Sequence, residues 1–370
     1  MKYKKIICVF GTRPEAIKMA PIIMALRKTK IQTIVVATAQ HREMLDQVLD
    51  IFNIKPDYDL DIMTQNQTLF DITQKVLSKI QKIFETEKPD LILVHGDTTT
   101  AFVSALAGFY LHIPIGHIEA GLRTYDNQNP FPEEINRQLV DKLSNIYFCP
   151  TQNNKNNLLK ENIKDNIFVT GNTVIDAIKF IAQKNIGYQE PILKTIDFSK
   201  KTILLTCHRR ESIGKPMKDI FQAIKNIIID YPDTQVIFSV HLNPLIQDIA
   251  KKILSNHNRI YLTKPLIYTD MVKLMSQCFL VATDSGGLQE EAPTFHKPVL
   301  VLRDETERQE GIKAGTLILV GTKKDKIYKN IKDVLENKKH YLKISKSNNP
   351  YGTGDSSEKI VQILNQPIVR

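Results

Sequence analysis

FGTRPEAIKMAP, residues 10–21, closes a run of five apolar residues from Ile6 to Phe10. Such a run reads as a short buried strand, and the segment after Pro14 reads as a helix. Strand, tight turn and helix is where many α/β proteins hold a phosphate. Yet this turn is not the G-x-G-x-x-G of a dinucleotide site. It has one glycine, Gly11; Arg13 stands where a second would be, and Lys18 follows four residues past Pro14.

Outward from this stretch the same alternation recurs. Strand-like runs are expected at Ile6–Phe10, Thr33–Thr38, Leu91–Val94, Ile113–Ile118, Ile146–Cys149 and Ile167–Val169. A second set covers Thr202–Thr206, Gln235–Val240, Arg259–Leu262, Phe279–Thr283, Pro298–Leu302 and Leu317–Val320. Most are continuously apolar, as strands covered on both faces should be. Helical patterns lie between them, for example Leu69–Phe84, Thr98–Phe109 and Asp219–Ile229. The alternation predicts an α/β protein with two doubly wound, Rossmann-like parallel sheets of about six strands each. The seam is expected near Gly171 or in the strand-poor stretch Gln183 to Lys201. A last helix, about Ser356 to Leu364, follows a Gly/Pro/Ser-rich link.

The whole chain, 370 residues with 42% hydrophobic and 24% charged residues, suits a two-domain globular protein. Its net charge of +10 raises nucleic acid as a partner. The lysines are spread, however, and their densest runs, Lys323 to Lys326 and Lys338 to Lys346, read as solvated surface; no nucleic-acid partner is expected. Four separated cysteines, Cys8, Cys149, Cys207 and Cys278, lie in or beside apolar runs. They form no C-x-x-C motif and read as buried thiols in a reducing compartment. The apolar run before Gly11 is too short for a signal-peptide core, and no stretch has membrane-spanning length. The cytoplasm is the expected location, with no membrane partner.

In parallel sheets ligands sit beyond the carboxyl ends of strands, so the residues there carry the functional reading. They are His95-Gly96-Asp97-Thr98, Glu119-Ala120-Gly121-Leu122-Arg123, Cys207-His208-Arg209-Arg210-Glu211, His241 and Asp284-Ser285-Gly286-Gly287. Ser-Gly-Gly before a helix lets backbone approach an anion, and Glu291 further on suits ribose hydroxyls. A plain N-capped turn fits the same residues. Arg13, Lys18, His208 and Arg308 supply cations suited to a diphosphate, although Arg13 also reads as a surface ion-pair residue and His208 as a core histidine. Asp97 or Thr98 also reads as a helix cap, and Glu133 or Glu134 as a first-turn acid favoured by the helix dipole. Three acids beside a diphosphate clamp nonetheless point to proton chemistry or sugar hydroxyls. The histidines lack metal-ligand spacing, and no metal is expected.

These stretches resemble the non-hydrolysing UDP-N-acetylglucosamine 2-epimerases. The matching pieces are FGTRPEAIKMAP, TAQHREML, VHGDTT, HIEAGLRT, PFPEEINR, VTGNTVIDA, CHRRES, TDSGGLQEEAP and RDETERQE, in order from Phe10 to about Glu310. The resemblance implies the glycosyltransferase-B architecture, with the active-site cleft between two Rossmann-like domains. These would be residues 1–170, on which a helix of about 354–370 packs back, and a UDP-binding domain of 171–353. It implies inversion at C2 to give UDP-N-acetylmannosamine by elimination of UDP, through a 2-acetamidoglucal, and re-addition, without cofactor. Asp97, Glu119, Glu133 and His208 match the catalytic positions; Arg13, Lys18, Ser285, Gly286, Gly287, Glu291 and Arg308 match the substrate-binding ones. The partners implied are UDP-N-acetylglucosamine and UDP in a homodimer that supplies surface polysaccharide synthesis. On this reading the opening loop needs no second glycine because it supplies cationic side chains.

Two departures qualify the match. Gln128-Asn129 stands where family members often have Tyr-Ser, which leaves the accepted sugar open; the alternative reading is a hydrolysing UDP-sugar 2-epimerase or an epimerase of a modified UDP-N-acetylhexosamine. An activator site is implied at Gln40, His41, Arg209 (or Arg210) and His241, but Asn66 replaces an arginine of some members, and that site is expected to be weak or absent.

Overall fold

The structure is a computed structural model that describes residues 3–38, 42–64, 67–184 and 186–366. Packing divides the chain into two compact units, Met1–Ala177 with Tyr351–Arg370, and Ile178–Pro350. The first contains a sheet of seven strands: β1 (Lys5–Phe10), β2 (Gln32–Ala37), β3 (Tyr58–Asp59), β4 (Leu91–His95), β5 (Ile115–Ile118), β6 (Ile146–Cys149) and β7 (Ile167–Val169), in the order β3-β2-β1-β4-β5-β6-β7. The second contains six: β8 (Lys201–Thr206), β9 (Thr234–Ser239), β10 (Ile260–Thr263), β11 (Leu280–Thr283), β12 (Val299–Val301) and β13 (Leu317–Leu319), in the order β10-β9-β8-β11-β12-β13.

Every neighbouring pair is parallel. The expected fold class therefore stands: each sheet is doubly wound, with helices returning the chain between strands. All twelve expected strands are present. The addition is β3, whose two residues pair with Val36 and Ala37 and are too few to show any periodicity. Four expected strands, at β5, β10, β11 and β12, begin one or two residues too early, two of them because proline has no N–H for the ladder. Pro114 and Pro298 precede β5 and β12, and their carbonyls accept from Ile92 and Val281.

Burial explains the apolar runs. All five residues of β4 are buried, as are the last five of β1 and of β8. Ile7, Val9, Ile92, Val94, Ile80 and Phe84 belong to one core of the first sheet; Ile203, Leu205, Phe221, Phe238, Ala282 and Leu300 belong to the core of the second. The four cysteines are buried free thiols, as read. Helix Ser356–Asn365 packs on helix Arg13–Arg27. Its start is tied down by Asp176, whose carboxylate accepts from Ser357 N at 2.8 Å and Ser357 Oγ at 2.6 Å. Among the described residues, no helix is long and apolar enough to cross a membrane.

Both sheets reverse their strand order at one point, between β1 and β4 and between β8 and β11. Crevices at such switch points are where doubly wound sheets bind ligands.

Candidate active site

At the first switch point the Gly11 turn is packed from below by hydroxyls. A Cβ on Gly11 would overlap Thr38 Oγ1 and lie 2.6 Å from Thr100 Oγ1, two groups that hydrogen-bond to each other at 3.0 Å. The single glycine is thus required by close approach. Glu15, buried in the first turn of helix Arg13–Arg27, accepts from Gly11 N at 3.0 Å, Thr12 N at 2.7 Å and Thr98 Oγ1 at 2.7 Å. Burial raises its carboxyl, against those hydrogen bonds. Glu15 therefore ties the first loop to the loop after β4, and Arg13 stands half-buried at the helix start.

Beyond β4 and β5 stand two of the predicted acids. Thr98 is the helix cap, accepting from Ala101 N at 3.1 Å, which leaves Asp97 for another partner. Asp97 forms an ion pair with Arg137 of helix Glu133–Leu143, and its backbone carbonyl accepts from Asn136 Nδ2 at 2.9 Å. Glu119 pairs with Lys18 through Oε1, which also accepts from Asn172 Nδ2 at 3.0 Å. Its other oxygen faces His95 Nε2 at 3.6 Å, too long for a hydrogen bond. Glu119 also adopts a left-handed backbone, φ +69°. For a residue with a side chain that conformation costs ~1–3 kcal/mol and concentrates at functional sites. An ideal Cβ on Gly96 would lie 3.5 Å from Glu119 Oε2, so the Asp97 and Glu119 loops meet.

His95 is buried, and neither ring nitrogen has a hydrogen-bond partner among the described residues. Burial pushes its pKa down to about 3, although the Glu119 carboxylate pulls the other way. It is therefore neutral.

The third expected acid separates cleanly from its neighbour. Glu134 is fully buried and accepts from Thr124 N, Tyr125 N, Gln138 Nε2 and Arg137 Nη1 at 3.0–3.2 Å. It fastens a loop. Glu133 is only partly buried, and its side chain makes no hydrogen bond or ion pair among the described residues. It retains a carboxylate available for chemistry.

In the second unit the switch point carries the cationic residues. His208 Nδ1 lies 3.1 Å from the buried Asp284 carboxylate, which also accepts from His208 N at 2.7 Å and Arg209 N at 2.8 Å. Burial acts to raise the Asp284 carboxyl, but His208 and the backbone donors outweigh it and hold it low. Ser285 makes no capping bond to helix Gly286–Glu291, so the plain N-cap alternative does not account for it. A Cβ on Gly286 would lie 3.4 Å from the Arg308 guanidinium, and one on Gly287 would lie 3.7 Å from Glu291 Oε1. Arg308 and Glu291 therefore flank the Ser-Gly-Gly turn. Arg308 is held by Glu290 at 2.9 Å and Glu307 at 3.0 Å.

Of the activator residues, Gln40, His41 and Asn66 lie outside the described residues. Arg209 donates through Nε to Asp284 O at 3.4 Å, and the His241 ring stacks on His208 with centroids 6.0 Å apart. Both therefore stand beside the His208–Asp284 pair.

The sequence reading did not single out Arg137, Asn172, Asp284, Glu15 or His95 as site residues. Signals for all five were present in it: Glu15, His95, Arg137, Asn172 and Asp284 fall inside the quoted FGTRPEAIKMAP, VHGDTT, PFPEEINR, VTGNTVIDA and TDSGGLQEEAP stretches. Among the described residues no group of three or more His, Cys, Asp or Glu is arranged to hold a metal ion.

The model of the family described as UDP-N-acetylglucosamine 2-epimerase matches residues 24–365. A Bacillus subtilis UDP-N-acetylglucosamine 2-epimerase is 50% identical over 366 residues, covering 98% of this chain and 96% of its own. The crystal structure of UDP-GlcNAc 2-epimerase from Neisseria meningitidis, bound to UDP-GlcNAc, superposes with a TM-score of 0.88 at 47% identity, over 97% of this chain and 99% of that one. The Methanocaldococcus jannaschii UDP-GlcNAc 2-epimerase, in complex with UDP-GlcNAc and UDP, gives a TM-score of 0.78 at 38% identity, over 97% and 99%.

Proposed function

Because the chain belongs to the UDP-N-acetylglucosamine 2-epimerase family, we propose that it interconverts UDP-N-acetylglucosamine and UDP-N-acetylmannosamine by elimination and re-addition of UDP. One carboxylate removes the C2 proton while the C1–O bond breaks and UDP leaves with the electron pair. The resulting 2-acetamidoglucal accepts UDP again at C1, and a second carboxyl delivers a proton to the opposite face of C2. The sequence is redox-neutral and calls for no nicotinamide.

The observation that carries this reading is the meeting of the Asp97 and Glu119 loops, each carboxylate paired with a different cation. Asp97, Glu119 and Glu133 are assigned the proton transfers, which contribute about 10²–10⁴-fold. His208, Arg13, Lys18 and Arg308 are assigned the diphosphate, whose departing charge preorganised cations stabilise. Ser285, Gly286 and Gly287 offer backbone to phosphate, and Glu291 accepts from ribose hydroxyls. On this assignment residues 1–170 with 354–370 carry the acids, and 171–353 bind UDP. We place the protein in the cytoplasm as a homodimer feeding surface polysaccharide synthesis. The four buried thiols support the location, and light scattering tests the dimer.

Proton NMR of UDP-N-acetylglucosamine in D₂O with the purified protein decides the chemistry. The expected result is the manno isomer with deuterium at C2. Release of free sugar and UDP indicates the hydrolysing variant. An unchanged substrate points to a modified UDP-N-acetylhexosamine, with Gln128-Asn129 as the place to look.

A further inference from the structure

We propose that His117 carries a proton on each ring nitrogen and that these two N–H groups hold the Asp97 and Glu119 loops in register, making it a positioning residue for the reaction. The inference rests on the preceding reading only for the role of those loops. The charge itself follows from hydrogen-bond geometry.

His117 lies in β5, between Val94 of β4 and Tyr147 of β6, and is fully buried. Its Nε2 is 2.8 Å from the Gly96 carbonyl oxygen, and its Nδ1 is 2.6 Å from Asp141 Oδ1. A carbonyl oxygen only accepts, so Nε2 must carry a proton. The state of Nδ1 then depends on Asp141. That carboxylate also faces Arg123 Nη2 at 2.7 Å and Gly121 N at 3.3 Å through Oδ2. Two donors on one oxygen favour the ionised form. Burial acts to raise the Asp141 carboxyl, but His117 and Arg123 outweigh it and hold it low. An ionised Asp141 only accepts, so Nδ1 carries a proton as well.

Arg123 is also clamped at 2.7 and 2.8 Å by the partly exposed Glu161, whose backbone carbonyl accepts from Lys142 Nζ at 3.1 Å. Lys155 acts on the neighbouring Cys149. Burial pushes the Tyr147 and Cys149 pKa values up, and that of His95 down. His95 and His117, one register position apart on neighbouring strands, thus hold different charge states.

The consequence for the site is mechanical. The Gly96 carbonyl belongs to the peptide that leads into Asp97. Asp141 and Arg123 grip the other end of the loop that begins at Glu119. One ring, bonded at both nitrogens, spans the two acid-bearing loops from the buried side. A neutral ring can donate from only one nitrogen and would release one of them.

The test uses the full chain with ¹⁵N-labelled histidine. Two-bond ¹H–¹⁵N spectra at pH 7 and 8.5 should show one of the nine histidines doubly protonated at both, and that signal should vanish in His117→Gln. A neutral tautomer for His117 at pH 8.5 overturns the proposal. Should His117→Gln fail to fold, Asp141→Asn supplies the second arm: removing the anion should leave the ring neutral. In a folded His117→Gln, C2-proton exchange should fall at least tenfold in kcat, with KM changed less than threefold. Retention of wild-type kcat overturns the positioning role. A wild type with the imidazolium but no C2 exchange overturns the epimerase reading instead and supports the charge assignment.

Discussion

His208 Nδ1 lies 3.1 Å from the carboxylate of Asp284, a residue with no exposed surface. The two stand on the strand-end loops of β8 and β11, whose terminal threonines, Thr206 and Thr283, hydrogen-bond at 2.6 Å. The carboxylate orients the ring. Asp284→Asn keeps the shape and removes the charge. Turnover should fall about ten- to a hundredfold, each factor of ten corresponding to about 1.4 kcal/mol. Steady-state kinetics at fixed pH checks this, and unchanged turnover removes Asp284 from the site.

Asp97 is assigned proton transfer while paired with Arg137. Asp97→Asn should lower C2 deuterium incorporation by at least about a hundredfold while UDP still binds. Calorimetric titration with UDP separates the two effects. A variant that exchanges C2 at the normal rate takes Asp97 out of the proton-transfer set.

The pH dependence of stability should report His95. Burial lowers its pKa to about 3 from the ordinary 6.5. Between those values the unfolded chain binds a proton that the folded chain does not. Stability therefore rises with pH across this window and falls on acidification below the unfolded value. In His95→Asn that slope is absent, so the variant should lose about 1 kcal/mol less than wild type between pH 6.5 and 5.5. Urea denaturation at the two pH values measures it; equal slopes argue against a neutral buried His95.

Gly121 tests the Glu119–Arg123 loop. Its φ is +80°, and an added Cβ would overlap the Asn154 carbonyl oxygen and lie 2.8 Å from its carbon. Backbone cannot yield as a flexible side chain does. Gly121→Ala should destabilise the protein by about 2 kcal/mol or more, seen as a lower thermal midpoint. A midpoint within a degree of wild type contradicts this packing.

Asn66 in place of an arginine leads us to expect simple kinetics. The reverse reaction, from UDP-N-acetylmannosamine, should be hyperbolic without added UDP-N-acetylglucosamine. Sigmoidal rates with a strict need for that activator would establish a working second site.

Much of the fold was legible because it is local. Buried parallel strands need continuous apolar runs, and the twelve expected ones are present, missing only the two-residue β3. Strand ends then marked Arg13, Asp97, Glu119, His208 and Ser285. Their partners were not legible. Arg137 lies 40 residues from Asp97, Asn172 lies 53 from Glu119, and Asp284 lies 76 from His208. A spacing in sequence carries no information about a contact that a sheet creates. Nor could it separate Glu133 from Glu134, adjacent acids that differ only in which one is turned inward to four donors.

The sequence by itself determined the class of fold, the candidate strand-end loops and the types of chemical group they carry. Periodicity and residue type are properties of the chain, and each strand end follows from the length of its run. Tertiary structure alone decided charge states and pairings. His95 and His117 are the same residue type on neighbouring strands, offset by one position in the register that pairs His95 with Ile118 and Val94 with His117. One finds no hydrogen-bond partner among the described residues and is neutral; the other faces Asp141 and the Gly96 carbonyl. The difference arises from desolvation and neighbouring charge, which exist only once distant segments pack together.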